Sequence, residues 1–294
     1  MIIVRLSGGM GNQMFQYALG RSLAIKNNVP LGLDLTYLLD RTPMPSYFTY
    51  RDYQLDMFNV QAIIVSRKDI PLLYRKYNFG VFMRYIDYIR RKFIPTPGKE
   101  KRDYYFDLKI STLGPNAYLE GWWQTPKYFA DIEDIIRKDF TLKNIPSENI
   151  GKLAEEISSK NSLCVHIRRG DYVGNKNHEV VNATYYTDAI TYILQRTNID
   201  KVYVFSDDIE WCKNNISFKI STFFVDDSFA GYKDEGNMFL MSACKHFIIP
   251  NSSFSWWAAW LANSPDKIVV APRQWVTDLS KDTADIIPKS WIRM

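Results

Sequence analysis

The feature that most limits the fold is a rhythm in the second half of the chain. Short apolar, β-rich runs recur at SLCVHI (162–167), KVYVFS (201–206), STFFV (221–225), HFIIP (246–250) and KIVVAP (267–272). Helical patterns lie between several of them: ATYYTDAITYILQR (183–196), IEWCKNN (209–215), DEGNMFLMSACK (234–245) and SFSWWAAWLA (253–262). Short apolar strands alternating with helices predict a parallel α/β sheet. In open sheets of this kind ligands bind beyond the C-terminal ends of the strands. The residues that directly follow each run are therefore where chemistry is sought.

The first half starts the same way. IIVRL (2–6) reads as a strand, SGGMG (7–11) as a tight turn, NQMFQYALGRSLAIKNN (12–28) as a helix and VPLGLDL (29–35) as the next strand. Regularity fades through a basic aromatic stretch and returns with AYLEG (117–121) and a helical pattern, PKYFADIEDIIRKDF (126–140). The segment TLKNIPS (141–147), with its Pro between two helical patterns, marks a boundary. The expected organisation is α/β, two Rossmann-like domains, 1–145 and 146–294, facing each other across a cleft, with an insertion at about 60–105 in the first.

Composition excludes several classes. Eleven Lys and Arg stand against Asp69, Asp87 and Glu100 between Arg67 and Arg102, so this segment carries +8 of a total of +5 and the rest is −3. A net charge of +5 over the whole chain is basic, yet not the dense basicity of a nucleic-acid binder. The segment's interleaved aromatics suit the rim of an acceptor cleft or an anionic membrane surface, and equally a solvated insertion. Cys164, Cys212 and Cys244 are scattered, which gives neither a disulfide framework nor a zinc site. No run reaches the length of a membrane-spanning helix. These features suit a cytoplasmic protein, soluble or peripheral at the inner face of a membrane.

Four constellations carry chemistry. In VHIRRGD, Arg168 and Arg169 follow a strand directly, and guanidinium forks match phosphate oxygens while staying charged. Such groups stabilise a departing nucleoside diphosphate without a metal; the plainer alternative is a surface pair bridged to Asp171. In IPNSSFSWWAAWL, Asn251, Ser252 and Ser253 are N-cap residue types, and a helix start of this kind binds anions. The same residues could simply cap a helix whose Trp256, Trp257 and Trp260 fill the core. In VFSDDIE, a strand delivers Ser206, Asp207 and Asp208 into a turn. A carboxylate there could pair with a guanine edge, grip a ribose or cap the next helix. In SGGMGNQMFQ, Met14 stands where a dinucleotide fingerprint needs Gly or Ala. The loop can still bring Asn12 and Gln13 against a ligand. His178, in a polar loop, and His246, at the start of an apolar strand, are poorer candidates.

These pieces, in this order, resemble the α-1,2-fucosyltransferases of glycosyltransferase family 11. The matching segments are GGMGNQMFQYALG, GWWQTPKYF (121–129), HIRRGDYV (166–173), ATYYTDAI (183–190), FSDD (205–208) and LMSACKHFIIPNSSFSWWAAWLA (240–262). The resemblance implies a GT-B fold, a GDP-fucose donor, a β-galactoside oligosaccharide or glycolipid acceptor, inversion at the anomeric carbon, and neither metal nor cofactor. It assigns Arg168 to the donor diphosphate, and His166 with Asp207 or Asp208 to the guanine. Ser252, Ser253 and Phe254 fall in the loop that closes on the phosphates, and Asn12 and Gln13 face the transferred sugar. Trp123 and Gln124 are the acceptor-side candidates. Asp171 is the candidate base or an orienter of the arginines, with Glu179 the alternative base. Two departures stand out: Asn237 replaces an acidic residue before MFLMS, and Pro126 occupies a helix-start position, where Pro is tolerated. The competing readings are a different nucleotide sugar or linkage, and a non-catalytic glycan-binding protein of the same fold.

Overall fold

The computed structural model describes residues 1–43, 49–72, 74, 97–170 and 180–294. The chain divides into two compact units, Met1–Thr141 and Leu142–Met294. Most of the central basic stretch lies outside the described residues, as do His178, Asp171 and Glu179.

The first unit contains β1 (Ile2–Arg5), α1 (Met10–Asn27), β2 (Leu31–Asp34), β3 (Ile63–Ile64), α2 (Leu108–Ser111), β4 (Tyr118–Leu119) and α3 (Glu133–Asp139). The strands form a parallel sheet in the order β3-β2-β1-β4. α1 begins two residues earlier than its periodicity suggests, because Gly9 is extended and lets Met10 enter the helix. It ends at Asn28, whose left-handed backbone (φ 52°) directs its N–H to the carbonyls of Ala24 and Ile25. The pattern over 126–140 resolves into two single 3-10 turns, Pro126–Tyr128 and Ala130–Ile132, before α3. Thr125 caps the first turn with its hydroxyl on Lys127 N, and Pro126 holds the first position. Phe129, at φ −134°, then leaves the helical region and breaks the run.

The second unit contains α4 (Glu148–Ser159), β5 (Ser162–Ile167), α5 (Ala183–Leu194), β6 (Lys201–Ser206), α6 (Ile209–Asn215), β7 (Thr222–Phe224), α7 (Glu235–Ser242), β8 (His246–Ile248), α8 (Ser253–Leu261), β9 (Val269–Ala271) and β10 (Ile292–Arg293). Its strands are parallel in the order β10-β9-β8-β5-β6-β7. The chain thus builds outward from β5 through β6 and β7, then returns to the other side of β5 for β8, β9 and β10. That reversal places a topological switch point between β5 and β8, the usual ligand crevice of a doubly wound sheet.

Burial follows from this position. All six residues of β5 are buried, as expected of a central parallel strand covered on both faces. Leu163, Val165 and Ile167 pack with Ala189 and Ile193 of α5, with Ile248 of β8 and with Val270 of β9. Trp256 and Trp257 are fully buried and Trp260 nearly so. Their rings pack edge to face and in parallel, and Trp256 Nε1 donates to the Ile286 carbonyl at 2.8 Å. The aromatic side of α8 therefore belongs to the core. The three cysteines are free and buried. No helix among the described residues is long and apolar enough to cross a membrane.

Candidate active site

β5 and β6 run in register, with His166 beside Phe205 and Ile167 beside Ser206. The two strands therefore end together, bringing Arg168 and Arg169 level with Asp207 and Asp208. Asp207 is occupied by the end of the neighbouring strand. Its Oδ1 accepts from Arg169 N at 2.8 Å and its Oδ2 from Gly170 N at 3.0 Å. The same Oδ2 lies 3.2 Å from Arg168 Nη1. Asp208 works at the start of α6, where Oδ1 accepts from Trp211 N at 3.2 Å and Oδ2 from Arg169 Nε at 3.1 Å. Ser206 Oγ accepts from Asp208 N at 3.0 Å and fixes that turn. The Arg169 guanidinium stacks 3.6 Å above the Trp211 ring.

Helix capping and ligand chemistry thus divide between the two aspartates. Asp208 is the cap, and Asp207 is a brace for the arginine turn. A carboxylate on one edge of a guanidinium fixes the orientation of the group, a form of preorganisation. Arg168 and Asp207 are each about a quarter exposed.

Across the switch point, Asn251 and Ser252 are buried in the turn between β8 and α8. Ser252 is the N-cap residue, yet its hydroxyl makes no capping bond. The first-turn N–H groups of α8 carry the positive end of the helix dipole. Phe254 in that first turn meets the His166 ring at 6.2 Å between centroids and 50° between planes, so the start of α8 packs against the end of β5. His166 is 5 % exposed and its Nδ1 has no hydrogen-bond partner among the described residues. Burial, with the Arg168 charge adding to it and Asp207 opposing, pushes its imidazole down to about 3. His166 is therefore neutral across the physiological range and offers a buried hydrogen-bonding edge rather than a charge.

In the first unit, Gln13 is fully buried and its amide is fully employed. Nε2 donates to the Gly8 and Asp52 carbonyls at 2.9 Å each, and Oε1 accepts from Gln54 N at 3.0 Å. Asn12 is partly buried, and its Oδ1 accepts from Gln124 Nε2 at 2.6 Å. Trp123 is fully buried, whereas its neighbour Trp122 is exposed. Two further residues shape this region. Gln16 holds Ser7 through its N–H and hydroxyl and reaches the Gly121 carbonyl at 2.9 Å. Glu100 accepts from the N–H groups of Trp122 and Trp123. Gln16 was legible as a polar residue on an apolar helix face; Glu100 lies in a charge-rich stretch and carried no signal. Among the described residues no group of three or more His, Cys, Asp or Glu side chains gathers as a metal site would.

The model of "Glycosyl transferase family 11" matches residues 86–294. The chain belongs to glycosyltransferase family 11. An alpha-1,2-colitosyltransferase of Escherichia coli is 36% identical over 100% of this chain and 98% of its own. An O-antigen biosynthesis glycosyltransferase, WbnK, of Escherichia coli is 33% identical over 98% of this chain and 99% of its own. A galactoside 2-alpha-L-fucosyltransferase of Caenorhabditis elegans is 28% identical over 59% of this chain and 51% of its own. Among solved structures, the NodZ alpha-1,6-fucosyltransferase soaked with GDP-fucose aligns over 95% of both chains with a TM-score of 0.54 at 16% identity. This family 11 chain thus has the GT-B type of α/β fold, and it is a glycosyltransferase.

Proposed function

We propose that the chain transfers L-fucose from GDP-fucose to the 2-hydroxyl of a terminal β-galactoside, with inversion and without a metal. The observation that carries this reading is the arginine turn. Arg168 and Arg169 stand at the switch point, braced by Asp207 and Asp208, beside the start of α8. In the displacement, the acceptor oxygen forms a bond to C1 of fucose as the bond from C1 to the diphosphate oxygen breaks. The electron pair leaves with GDP. Arg168 and the first-turn N–H groups of α8 stabilise the charge that develops on the diphosphate. The transition state has oxocarbenium character, by analogy with glycoside hydrolysis. Leaving-group stabilisation is then the larger contribution and the base the smaller. The acceptor's proton passes to a carboxylate, with Asp171 the candidate and Glu179 the alternative. His166 and Phe254 line the crevice for the nucleoside, and Ser252 and Ser253 meet the phosphates.

The full-length likeness to a colitosyltransferase favours a second donor. Colitose is fucose without its 3-hydroxyl, so the two donors differ by one hydrogen-bonding group. A site built to bind that hydroxyl rejects the analogue strongly, whereas an apolar one hardly distinguishes them.

The deciding experiment offers GDP-fucose and GDP-colitose in parallel, with a terminal β-galactoside and EDTA, and follows GDP release and glycan product. Product from GDP-fucose in EDTA, lost in Arg168→Ala, supports the reading. Product from GDP-colitose alone replaces the donor and keeps the mechanism. Absence of turnover, with no stabilisation by GDP, overturns the donor class and favours a glycan-binding protein of the same fold.

A further inference from the structure

We propose that Trp122 is a sugar-stacking platform of the acceptor side, and that Glu100 is the positioning residue that sets it. The inference rests on the proposed transfer to a galactoside and adds the surface that would hold the acceptor ring.

The turn Gly121–Gln124 follows β4 and is clamped from two sides. Gln16 Nε2 holds the Gly121 carbonyl at 2.9 Å. The two oxygens of Glu100 accept from successive amides, Trp122 N at 2.5 Å and Trp123 N at 3.0 Å. Trp123 pays a conformational cost here, with φ at +44°, a region disfavoured for a bulky residue. Gly121 is required for the carboxylate's approach, since a Cβ there would lie 2.4 Å from Glu100 Cβ and 2.7 Å from Oε2. The strained backbone turns Trp123 into the core and sends its neighbour outward. Trp122 is 39% exposed, and Trp123 is fully buried.

The outward ring is not isolated. A Cβ on Gly8 would stand 2.9 Å from Trp122 Cζ3 and 2.5 Å from Asn12 Nδ2, so the ring and this amide converge on one bare glycine at φ +74°. Gln124 joins them through its bond to Asn12. A part-exposed indole beside the half-buried Asn12 amide, which buried Gln124 holds, is a composition suited to a pyranose: the apolar C–H face would stack on the ring and a hydroxyl would meet the amide. A lone exposed aromatic needs no explanation. This one is held by a strained backbone, a two-amide carboxylate clamp and a required glycine.

Glu100 also makes the platform sensitive to pH. Burial raises its carboxyl to about 7, with the Trp122 and Trp123 amides opposing and Asp103 adding to the rise. The charged groups around it are Lys101 and Arg102 on its own segment, Asp107 and Lys109 across a cavity of about 210 Å³, and Glu120, whose carbonyl accepts from Glu100 N. Burial outweighs the two amides, so the clamped turn favours the protonated carboxyl: it is firmest below neutrality, and ionisation above about 7 works against it.

Trp122 is the most exposed of the eight tryptophans; Trp211 is half-buried and the other six are buried. A collisional quencher of indole fluorescence therefore reads it first. The experiment titrates lactose or methyl β-galactoside into the full chain without donor and measures quencher protection. It then compares acceptor KM, donor KM and kcat for Trp122→Ala, Glu100→Ala and Glu100→Gln. Expected are protection in the wild type, its loss in Trp122→Ala, and an acceptor KM raised roughly tenfold there with a much smaller change in donor KM. Glu100→Ala should reproduce that rise, Glu100→Gln should recover most of it, and only the wild type should show an acceptor KM that climbs as pH rises through 7. Protection needs no donor, so it survives a wrong donor assignment. No protection by either galactoside, or an acceptor KM unmoved in Trp122→Ala, overturns the platform. A Glu100→Ala enzyme with normal acceptor KM overturns the clamp.

Discussion

The two units solve the same problem, holding polar groups still for a ligand, with opposite materials. In the second unit the polar groups are charged and stand at the ends of buried parallel strands. The register of β5 and β6 alone brings Arg168 and Arg169 to Asp207 and Asp208. In the first unit the strands next to the loops are short, and neutral amides do the holding: Gln13 and Gln16 each make three hydrogen bonds. Charge that must meet a diphosphate gains from strand ends, where carboxylates can brace it without competing for the outward face. Shape that must meet a sugar can be built in loops, provided buried side chains fix each turn.

The sharpest way to break this contrast is to remove one charge. Arg168→Ala should lower turnover by about 10²–10³, the scale seen when one preorganised donor to a developing anion is lost. It should also abolish stabilisation by GDP, read as the shift in Tm. Asp207→Asn should act in the same direction but more weakly, because Arg169 N and Gly170 N lose a charged acceptor while Arg168 itself stays. If Arg168→Ala keeps the GDP shift, the charged site is not the nucleotide's seat.

An intermediate effect should come from the neutral side. Gln16→Ala strands Ser7 N and the Gly121 carbonyl in partly buried surroundings, at about 1–3 kcal/mol for each group left without a partner. The variant should unfold at lower denaturant, yet its GDP-induced Tm shift should match the wild type's. Loss of that shift would show that the units are not separable in function.

The legibility of these two sites in the sequence differs for the same reason. Strand ends are read from apolar runs, so HIRRGD and FSDD could be placed at the mouth of one sheet from their positions alone. The division of labour between Asp207 and Asp208 could not, because it depends on which carboxylate faces the neighbouring strand. In the first unit, SGGMGNQMFQ announced a turn and a helix, but not that Gln13 points inward and Asn12 outward. That choice is made by partners more than 30 residues away, Asp52, Gln54 and Gln124. Trp122 and Trp123 are adjacent and identical in type; only a backbone at φ +44° decides which is buried. The two-residue β3 and β10 left no periodicity to read. The 126–140 run looked like one helix because apolar spacing persists through the two 3-10 turns.

The smallest effect separates the units by proton linkage. Glu100 in the first and His166 in the second are buried groups whose shifts disfavour charge, and the signs with pH are opposite. His166 falls from 6.5 to about 3 in the folded state, so its contribution is complete above 6.5 and is lost as pH drops towards 3. Glu100 rises from 4.5 to about 7, so the folded state is relatively favoured below 4.5 and that advantage fades as pH climbs to 7. Between pH 7 and 5 the histidine should cost about 2 kcal/mol of stability, while the glutamate returns about as much, leaving a shallow net slope. His166→Phe should remove the first contribution and leave stability rising as pH falls; Glu100→Gln should do the reverse and steepen the acid loss. Urea midpoints at pH 5, 6 and 7 for the three proteins check both. Parallel curves would mean that neither group is held in its uncharged form, and the neutral histidine beside the arginine turn would have to be abandoned.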